Sequence, residues 1–376
     1  MAEQVELSPI NTGGTSFLRS CFNGINALTG IGLITIPYTL SQAGWLGLCL
    51  LLAMAFTTCY TGLLLQRCLE SNPSIKTYPD IGYHAFGRKG RIIVSIFTYL
   101  ELYLVPTGIL ILEGDHLFKL FPNVSMEVAG IYIGGKEIFV IGSGLVILPT
   151  MWLKDLRLLS FVSAGGILSC VIVITSILWV GAVDGVGFSS KGKLFELAGI
   201  PTAMSFFSLS TLSYILMAVL GYLMFGQDVQ PQVTLNLPTS QVSSKIAIYT
   251  TLIGPLAKYA LIVMPIANAI ESRLPRYYNI KLIYIFLRTL LLVSTIIVAL
   301  VFPLFGILMA LVGAILSITV SIILPCLCYL KISGGYQKWG FEVLIIVVIM
   351  INAVSIGVIG TYVSLKDIGV IKIFRI

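Results

Sequence analysis

The sequence predicts an all-α protein that crosses a membrane many times, and three observations carry this prediction. Of its 376 residues, 57% are hydrophobic and only 10% are charged, whereas about 25% of the residues in soluble globular domains are charged. The mean hydropathy is +1.00. Apolar runs of about 20 residues, the length that spans a hydrocarbon core as a helix, recur along the chain.

The remaining composition argues against several other kinds of protein. The net charge of +7 comes from basic residues scattered through short loops, which is the usual bias of membrane proteins and not a nucleic-acid surface. The seven cysteines contain no CxxC pair, and there are only two histidines, so we expect no metal site and no cofactor. The polar segment 1–16 has no basic region, so it predicts an N-terminal tail and not a cleaved signal peptide.

The apolar runs divide the chain into about ten predicted passes, which end where polar and charged residues return. Glycines and polar residues interrupt the first pass. A transmembrane domain is therefore predicted over 17–363, followed by a C-terminal tail over 364–376. The predicted passes are 19–40, 43–66, 92–113, 137–152, 157–181, 199–225, 246–270, 282–302, 304–330 and 341–363.

The basic residues predict which loops face the cytosol. The loop between the second and third passes is predicted to be cytosolic because it concentrates Lys and Arg. Its basic residues are Arg67, Lys76, Arg88, Lys89 and Arg91. The N-terminus is then also cytosolic, and a strict alternation of sides holds through the first five passes. The loop after the third pass, which holds Glu113 and Asp115, falls on the other side.

The alternation fails after the sixth predicted pass. If 199–225 is a single pass, the basic loops 271–281 and 331–340 both fall on the non-cytosolic side. One more crossing between Gly199 and Gly226 would return both loops to the cytosol. The alternative is that two loops violate the rule, which is a statistical tendency.

Several ungapped stretches between Phe17 and Tyr362 resemble the amino acid/auxin permease family, and within it plant vacuolar amino-acid transporters of the AVT type. They include "NALTGIGLITIPYTLSQAGWLGL", "TYPDIGYHAFG", "EGDHLFKLFPN" and "TLNLP". The resemblance implies a LeuT-like fold of eleven helices, the first ten of which form two inverted five-helix repeats. The repeats would cover about 17–182 and 195–330, with an extra helix over 341–363.

The resemblance also implies a sixth helix broken in its middle, a cytosolic link and a seventh helix. Here "ELAGIPTAM" is similar to the start of the sixth helix and "LSYILMAVLGYLMFG" to the end of the seventh. About one pass of ~20 residues and a link are therefore expected to be missing near Ser205-Phe206. This agrees with the basic loops, and the loss would remove half of the expected binding site.

The first pass contains residues that weaken a helix in lipid. Gly30 and Gly32 permit backbone angles that are closed to other residues, and Pro37 cannot donate a backbone hydrogen bond. One interpretation is a broken helix whose free amides face the carboxylate of an amino acid. The alternative is a closely packed helix interface. With the resemblance, the predicted substrate contacts are Asn26, Leu28, Thr29, Gly30, Ile31 and Gly32.

Two charged residues, Glu101 and Lys258, lie well inside apolar runs. Such residues are expected to face the protein interior or a water-filled cavity. They are candidates for a proton-linked pair; the alternatives are a static buried ion pair or a lysine that reaches the membrane surface. Tyr103 follows Glu101 by two residues and presents a hydroxyl either to substrate or to the packed interior.

Three further polar residues are site candidates. By the resemblance, Thr250 and Thr251 match the region where sodium-coupled members of the wider superfamily bind their cation. No carboxylate accompanies them, so proton coupling is favoured over sodium coupling. Asn123-Val124-Ser125 is a glycosylation sequon in a predicted non-cytosolic loop, although sequons this short also arise by chance.

The resemblance implies a secondary transporter that moves amino acids with protons by alternating access. The expected location is the vacuolar membrane, with the plasma membrane second, and the expected partners are amino acids, protons and membrane lipid. The alternatives are an auxin-type permease, a channel, and a truncated form that acts only by association with other chains. An enzyme is not expected, because the six aspartates lie in loops or at helix ends and no GxSxG motif occurs. The sequence indicates neither the amino acid carried nor an oligomeric state.

Overall fold

The computed structural model describes residues 32–128, 130–153, 156–184, 211–238, 240–272, 280–302, 304–334 and 340–374. Within these ranges the chain is mostly helical. Strands β1 (Met126–Val128) and β2 (Ile131–Ile133) form one antiparallel hairpin, in which Glu127 lies opposite Tyr132. The helices are α1 (Gly32–Ala43), α2 (Leu46–Glu70), α3 (Tyr78–Leu120), α4 (Gly135–Met151), α5 (Leu156–Ala182), α6 (Thr211–Phe225), α7 (Val242–Glu271), α8 (Ile280–Val301), α9 (Phe305–Ile332) and α10 (Phe341–Phe374).

Among the described residues, six helices are long and apolar enough to cross a bilayer. They are α2, α3, α7, α8, α9 and α10. The chain is therefore polytopic and all-helical in its membrane part, as the sequence predicted. Each of the ten predicted passes overlaps a described helix, while the number of crossings stays a prediction.

Helix α3 is much longer than the predicted pass over 92–113. It has 43 residues and begins at a capping box. Both the backbone N–H and the hydroxyl of Thr77 donate to the Asp80 carboxylate there. Gly87 has φ 65° and ψ −152°, a conformation that favours glycine, and it kinks the helix there. Beyond Glu113 the helix continues to Leu120, so the loop predicted after the third pass is helical at its start.

Helix α9 is not a regular α-helix in its middle. Segments Val312–Ser317 and Thr319–Ile323 are π-helical, with α-helical turns on both sides. Such widened turns are rare and often occur at functional sites. The π-helical segments pack against α3 and α10, and most residues of Val312–Ser317 are buried.

Helices α7 and α9 are the most buried of the six long apolar helices. Helix α7 packs against α3 and α5, and the shorter helix α1 packs against α6. The hydroxyls of Tyr259 in α7 and Thr295 in α8 lie 2.5 Å apart and are both buried. Large apolar side chains such as Phe56 and Val301 are more than three-quarters exposed, which suits a surface that faces lipid.

Contacts between helix ends sort the described loops into two groups. At one end, Arg67 pairs with Glu342 at 2.6 Å. Arg288 donates to the carbonyls of Met151 and Leu153 at 2.9 and 3.1 Å. We call this the basic end; it contains residues 67–91, 151–153, 268–289 and 329–342 where these are described.

The opposite end, residues 115–136, 184 and 226–243, is joined by a second set of contacts. Asp115 pairs with Lys136 at 2.5 Å. The Lys119 ammonium reaches carbonyls of residues 234–237. The side chain of Gln241 donates to the Asp184 carbonyl at 2.7 Å. Asp184 and Gly226 thus lie at the same end of the bundle, a placement that a single crossing between them does not permit.

Candidate functional site

The described part of the first pass begins at Gly32. The predicted contacts Asn26, Leu28, Thr29, Gly30 and Ile31 lie outside the described residues, so the predicted break there remains a prediction. Helix α1 is continuous through Pro37, and the interruption predicted at Pro37 is not seen.

Pro37 instead forms part of a close contact between α1 and α6. A Cβ atom built on Gly221 would lie 2.4 Å from the Pro37 Cβ, so only glycine allows this approach. Next to it, the rings of Trp45 and Tyr222 meet edge to face with centroids 5.2 Å apart. The missing amide of Pro37 costs α1 one hydrogen bond, while its ring packs tightly against α6.

A cavity of about 1110 Å³ opens at the basic end between α3 and α7. Arg88 and Arg91 lie on its wall together with apolar side chains of both helices, and Tyr103 also lines it. Arg91 pairs with Asp80 and stacks over the Tyr83 ring at 5.4 Å. A cavity with this mixture suits a small zwitterion, because guanidinium groups attract the carboxylate and the apolar wall accepts the side chain.

Tyr103 has a hydrogen-bond partner within the bundle. Its hydroxyl donates to the Ser294 Oγ of α8 at 3.0 Å. The side chain is part-buried and lines the cavity, so the structure brings this predicted site residue to a candidate ligand space.

Glu101 and Lys258 have different neighbours. Glu101 accepts a hydrogen bond of 2.5 Å from Ser317, in the π-helical part of α9. Lys258 is 2% exposed and its Nζ lies 3.8 Å from the Cys170 Sγ of α5. Both side chains face other helices, but each contacts a residue other than its predicted partner.

The remaining sequence candidates lie apart from the cavity. Thr250 and Thr251 are buried, and the Thr251 hydroxyl donates to the Ile248 carbonyl of its own helix at 2.6 Å. Asn123 is exposed in the turn before β1. Among the described residues, no group of three His, Cys, Asp or Glu side chains could hold a metal ion.

The sequence analysis missed a buried polar cluster on α3. Glu113 has no exposed surface, and neither carboxylate oxygen has a hydrogen-bond partner within the described chain. His116 is equally buried, and its Nε2 lies 2.7 Å from the Thr234 Oγ1. The placement of Glu113 and Asp115 in a loop is corrected, because α3 extends to Leu120. The spacing of three residues between Glu113 and His116, which places both on one helix face, was the available signal.

Lys119 completes this cluster and closes the opposite end. Its Nζ donates to the carbonyls of Thr234, Leu235 and Leu237 at 3.1, 2.5 and 2.8 Å. All three protons of the ammonium group are thereby used. We call residues 232–237 the clamped segment. It covers the end of α3, whereas the cavity described above lies at the basic end.

Comparison with known proteins identifies related sequences along almost the whole chain. The profile of the family described as "Transmembrane amino acid transporter protein" matches residues 13–209 and 205–365. "Amino acid transporter AVT1I" of Arabidopsis thaliana is 47% identical, covering 96% of this chain and 98% of the relative. "Amino acid transporter AVT1J" of the same plant is also 47% identical, covering 95% and 92%. "Amino acid transporter AVT1D" is 43% identical, covering 92% of this chain and 69% of the relative.

The alignments are longer than the part of this chain that they contain. The AVT1I alignment has 395 positions, but 96% of 376 residues is about 361, which leaves about 34 positions as gaps in this chain. The AVT1J alignment has 389 positions and 95% coverage, or about 357 residues, which leaves about 32. The two stretches that match the family profile meet at residues 205–209.

Proposed function

Because this chain belongs to the transmembrane amino acid transporter family, we propose that it carries amino acids by alternating access, driven by a proton gradient. The family match over nearly the whole chain is the observation that carries the proposal. It accounts for a polytopic chain that has a cavity between α3 and α7 and several buried ionisable residues.

The two ends of the bundle support alternating access. The cavity at the basic end reaches Tyr103, while Lys119 and the clamped segment close the other end. Basic loops face the cytosol in most membrane proteins. We therefore propose that the substrate space of this conformation opens to the cytosol and that the N-terminus is cytosolic.

We propose the LeuT-like arrangement for this carrier, with the substrate backbone bound by the first pass. The proposed contacts are Asn26, Leu28, Thr29, Gly30, Ile31, Gly32 and Tyr103. Helix α1 is described from Gly32 onward, and the proposed contacts other than Gly32 and Tyr103 directly precede it along the chain. The proposal is that free amides of this segment bind the negative charge of a substrate carboxylate.

We also propose that about one pass and its link are absent near Ser205-Phe206. About 34 aligned positions of a relative are missing from this chain, and the two stretches that match the family profile meet at residues 205–209. A single pass needs about 20 residues, so the gap is large enough for a pass and a link. This observation favours a second candidate function, a non-transporting form that acts by association with other chains.

Counterflow in proteoliposomes tests the proposal and separates the two candidates. The purified chain is compared with a repaired chain that carries the missing segment of AVT1I between Ser205 and Phe206. Uptake of labelled amino acid into preloaded vesicles by both proteins supports transport. Counterflow by the repaired chain alone would instead support the non-transporting form that acts by association with other chains. Absence of counterflow from both proteins would reject the carrier assignment.

We propose the vacuolar membrane as the location, and the plasma membrane as the second candidate. The resemblance to plant vacuolar transporters supports the first. A fluorescent fusion in plant cells tests it, because the tonoplast and the plasma membrane are separable after plasmolysis. A signal only at the plasma membrane would favour an amino-acid or auxin-type permease of that membrane.

A further inference from the structure

Glu113 and His116 are two polar residues of α3, one helical turn apart, that are buried inside the bundle. Both are 0% exposed. The two Glu113 oxygens and the His116 Nδ1 have no hydrogen-bond partner in the described parts of the chain. An unsatisfied buried polar group costs about 1–3 kcal/mol, and an unpaired buried charge costs more. An apolar residue would pack there at lower cost, so the site retains an acid for its chemistry.

The charged groups nearest in the chain are engaged elsewhere. On α3, Asp115 pairs with Lys136 of α4 and accepts a bond of 3.1 Å from Gln232. Lys119 is held by the carbonyls of the clamped segment. Neither Gln232 nor Thr234 in that segment is titratable.

The other helices that pack against α3 bring no unpaired ion to this site in the described residues. Lys245 of α7 is exposed, and Lys258 contacts Cys170. Arg288 of α8 bonds to backbone carbonyls and to Glu271 at the basic end. The charged residue of α9 is Lys331, in its last turn. The site therefore favours a neutral carboxylic acid that carries its own proton.

We infer that Glu113 is the proton-binding site of this carrier, an inference that rests on the proton-coupled transport proposed above. In the described conformation the Glu113 carboxyl group holds the proton beneath the clamped segment. His116 lies between Glu113 and the clamped segment, because its ring contacts Thr234 of that segment. When the segment moves away, water reaches His116 first. The Glu113 O–H bond then breaks as its proton moves to the free Nδ1 of His116, and the imidazolium formed gives up its Nε2 proton to that water, which leaves a Glu113 carboxylate and a neutral His116.

Transport by Glu113→Gln tests the inference. The amide keeps the size of the acid but binds no transported proton. With one proton per substrate, the wild type accumulates amino acid up to about tenfold per unit of pH difference, since one unit corresponds to ~1.36 kcal/mol. We expect E113Q to retain counterflow while its accumulation ratio stays near one. Glu137→Gln is the matched control, because Glu137 is an exposed carboxylate at the same end.

Infrared difference spectroscopy of the purified chain gives a readout that does not depend on transport. At neutral pH, the wild-type spectrum minus the E113Q spectrum should contain the C=O stretching band of a protonated carboxylic acid. The corresponding E137Q difference should lack it. Absence of the band from the E113Q difference would overturn the inference.

Two transport results would also overturn it. The first is an E113Q protein whose accumulation of amino acid depends on the pH difference across the membrane as strongly as that of the wild type. The second is loss of that dependence in Glu101→Gln while E113Q keeps it, which would assign the proton to Glu101. A wild-type protein without counterflow would instead reject the proposed function, and the inference with it.

Discussion

Lys119 illustrates how one side chain holds a loop against a helix. Its ammonium group donates to three carbonyls of the clamped segment. In Lys119→Met the stem remains but the three carbonyls lose their donor. Since each hydrogen bond from a charged group contributes about 1.5–3 kcal/mol, we expect a clear loss of stability. The measurement is thermal unfolding of the purified protein in detergent.

The control for this change is Lys245→Met. Lys245 is exposed at the same end, at the start of α7, and exposed lysines contribute little to stability. An equal loss of stability in both variants would show that the Lys119 contacts are not what closes this end.

At the residue scale, the sequence identified buried charges but not their partners. Their positions well inside apolar runs identified Glu101 and Lys258 as intramembrane, and both contact other helices. Their partners, Ser317 and Cys170, lie 216 and 88 residues away in the chain. No local pattern encodes such distances. Glu113 was missed for a related reason: a carboxylate at the edge of an apolar run looks like a loop residue until the helix is seen to continue.

At the element scale, the contact of α1 with α6 depends on one glycine. A Cβ at Gly221 would lie 2.4 Å from the Pro37 Cβ, far inside van der Waals contact. Gly221→Ala should therefore push the two helices apart and destabilise the protein by about 1–3 kcal/mol, the usual cost of overpacking. Thermal unfolding measures this loss, and counterflow reports whether the first pass is displaced.

Gly62→Ala provides the matched control for that substitution. Gly62 lies in α2, and a Cβ there would meet no atom within 4 Å. Alanine favours the helix over glycine by about 1 kcal/mol, so G62A should be neutral or stabilising. If G221A were as stable as G62A, the described contact between α1 and α6 would be wrong.

The position of most helices was predictable, but their ends were not. Apolar runs reveal the part of a helix that lies in lipid, which is why the predicted passes overlap the described helices. Helix α3 extends beyond its run because Thr77 and Asp80 cap its start and because His116 and Lys119 find partners about 115 residues later. The π-helical turns of α9 were not predicted from the sequence; they pack against α3 and α10, which are distant in the chain or follow later.

At the scale of the whole molecule, two independent observations agree on topology. The basic loops 271–281 and 331–340 indicate that a single crossing over 199–225 does not give the correct sides to the loops that follow. Independently, the contact between Asp184 and Gln241 places the residues before and after this region at the same end of the bundle. Both follow from physics that acts over the entire bundle: retention of positive charge in the cytosol and pairing of polar groups where helices end. Length and hydropathy alone could not reveal this, because they count apolar runs without assigning sides.

Labelling of single cysteines in sealed vesicles tests this topology. In a background without native cysteines, Gln230→Cys, Asn123→Cys and Ser74→Cys are treated with a membrane-impermeant maleimide, and all three positions are exposed. Residue 230 belongs to the opposite end, with Asn123, whereas Ser74 belongs to the basic end. We therefore expect Q230C and N123C to react from one side and S74C from the other. Strict alternation with a single crossing between 184 and 226 predicts that Q230C reacts with S74C, and that result would refute the proposed arrangement of the second half of the chain.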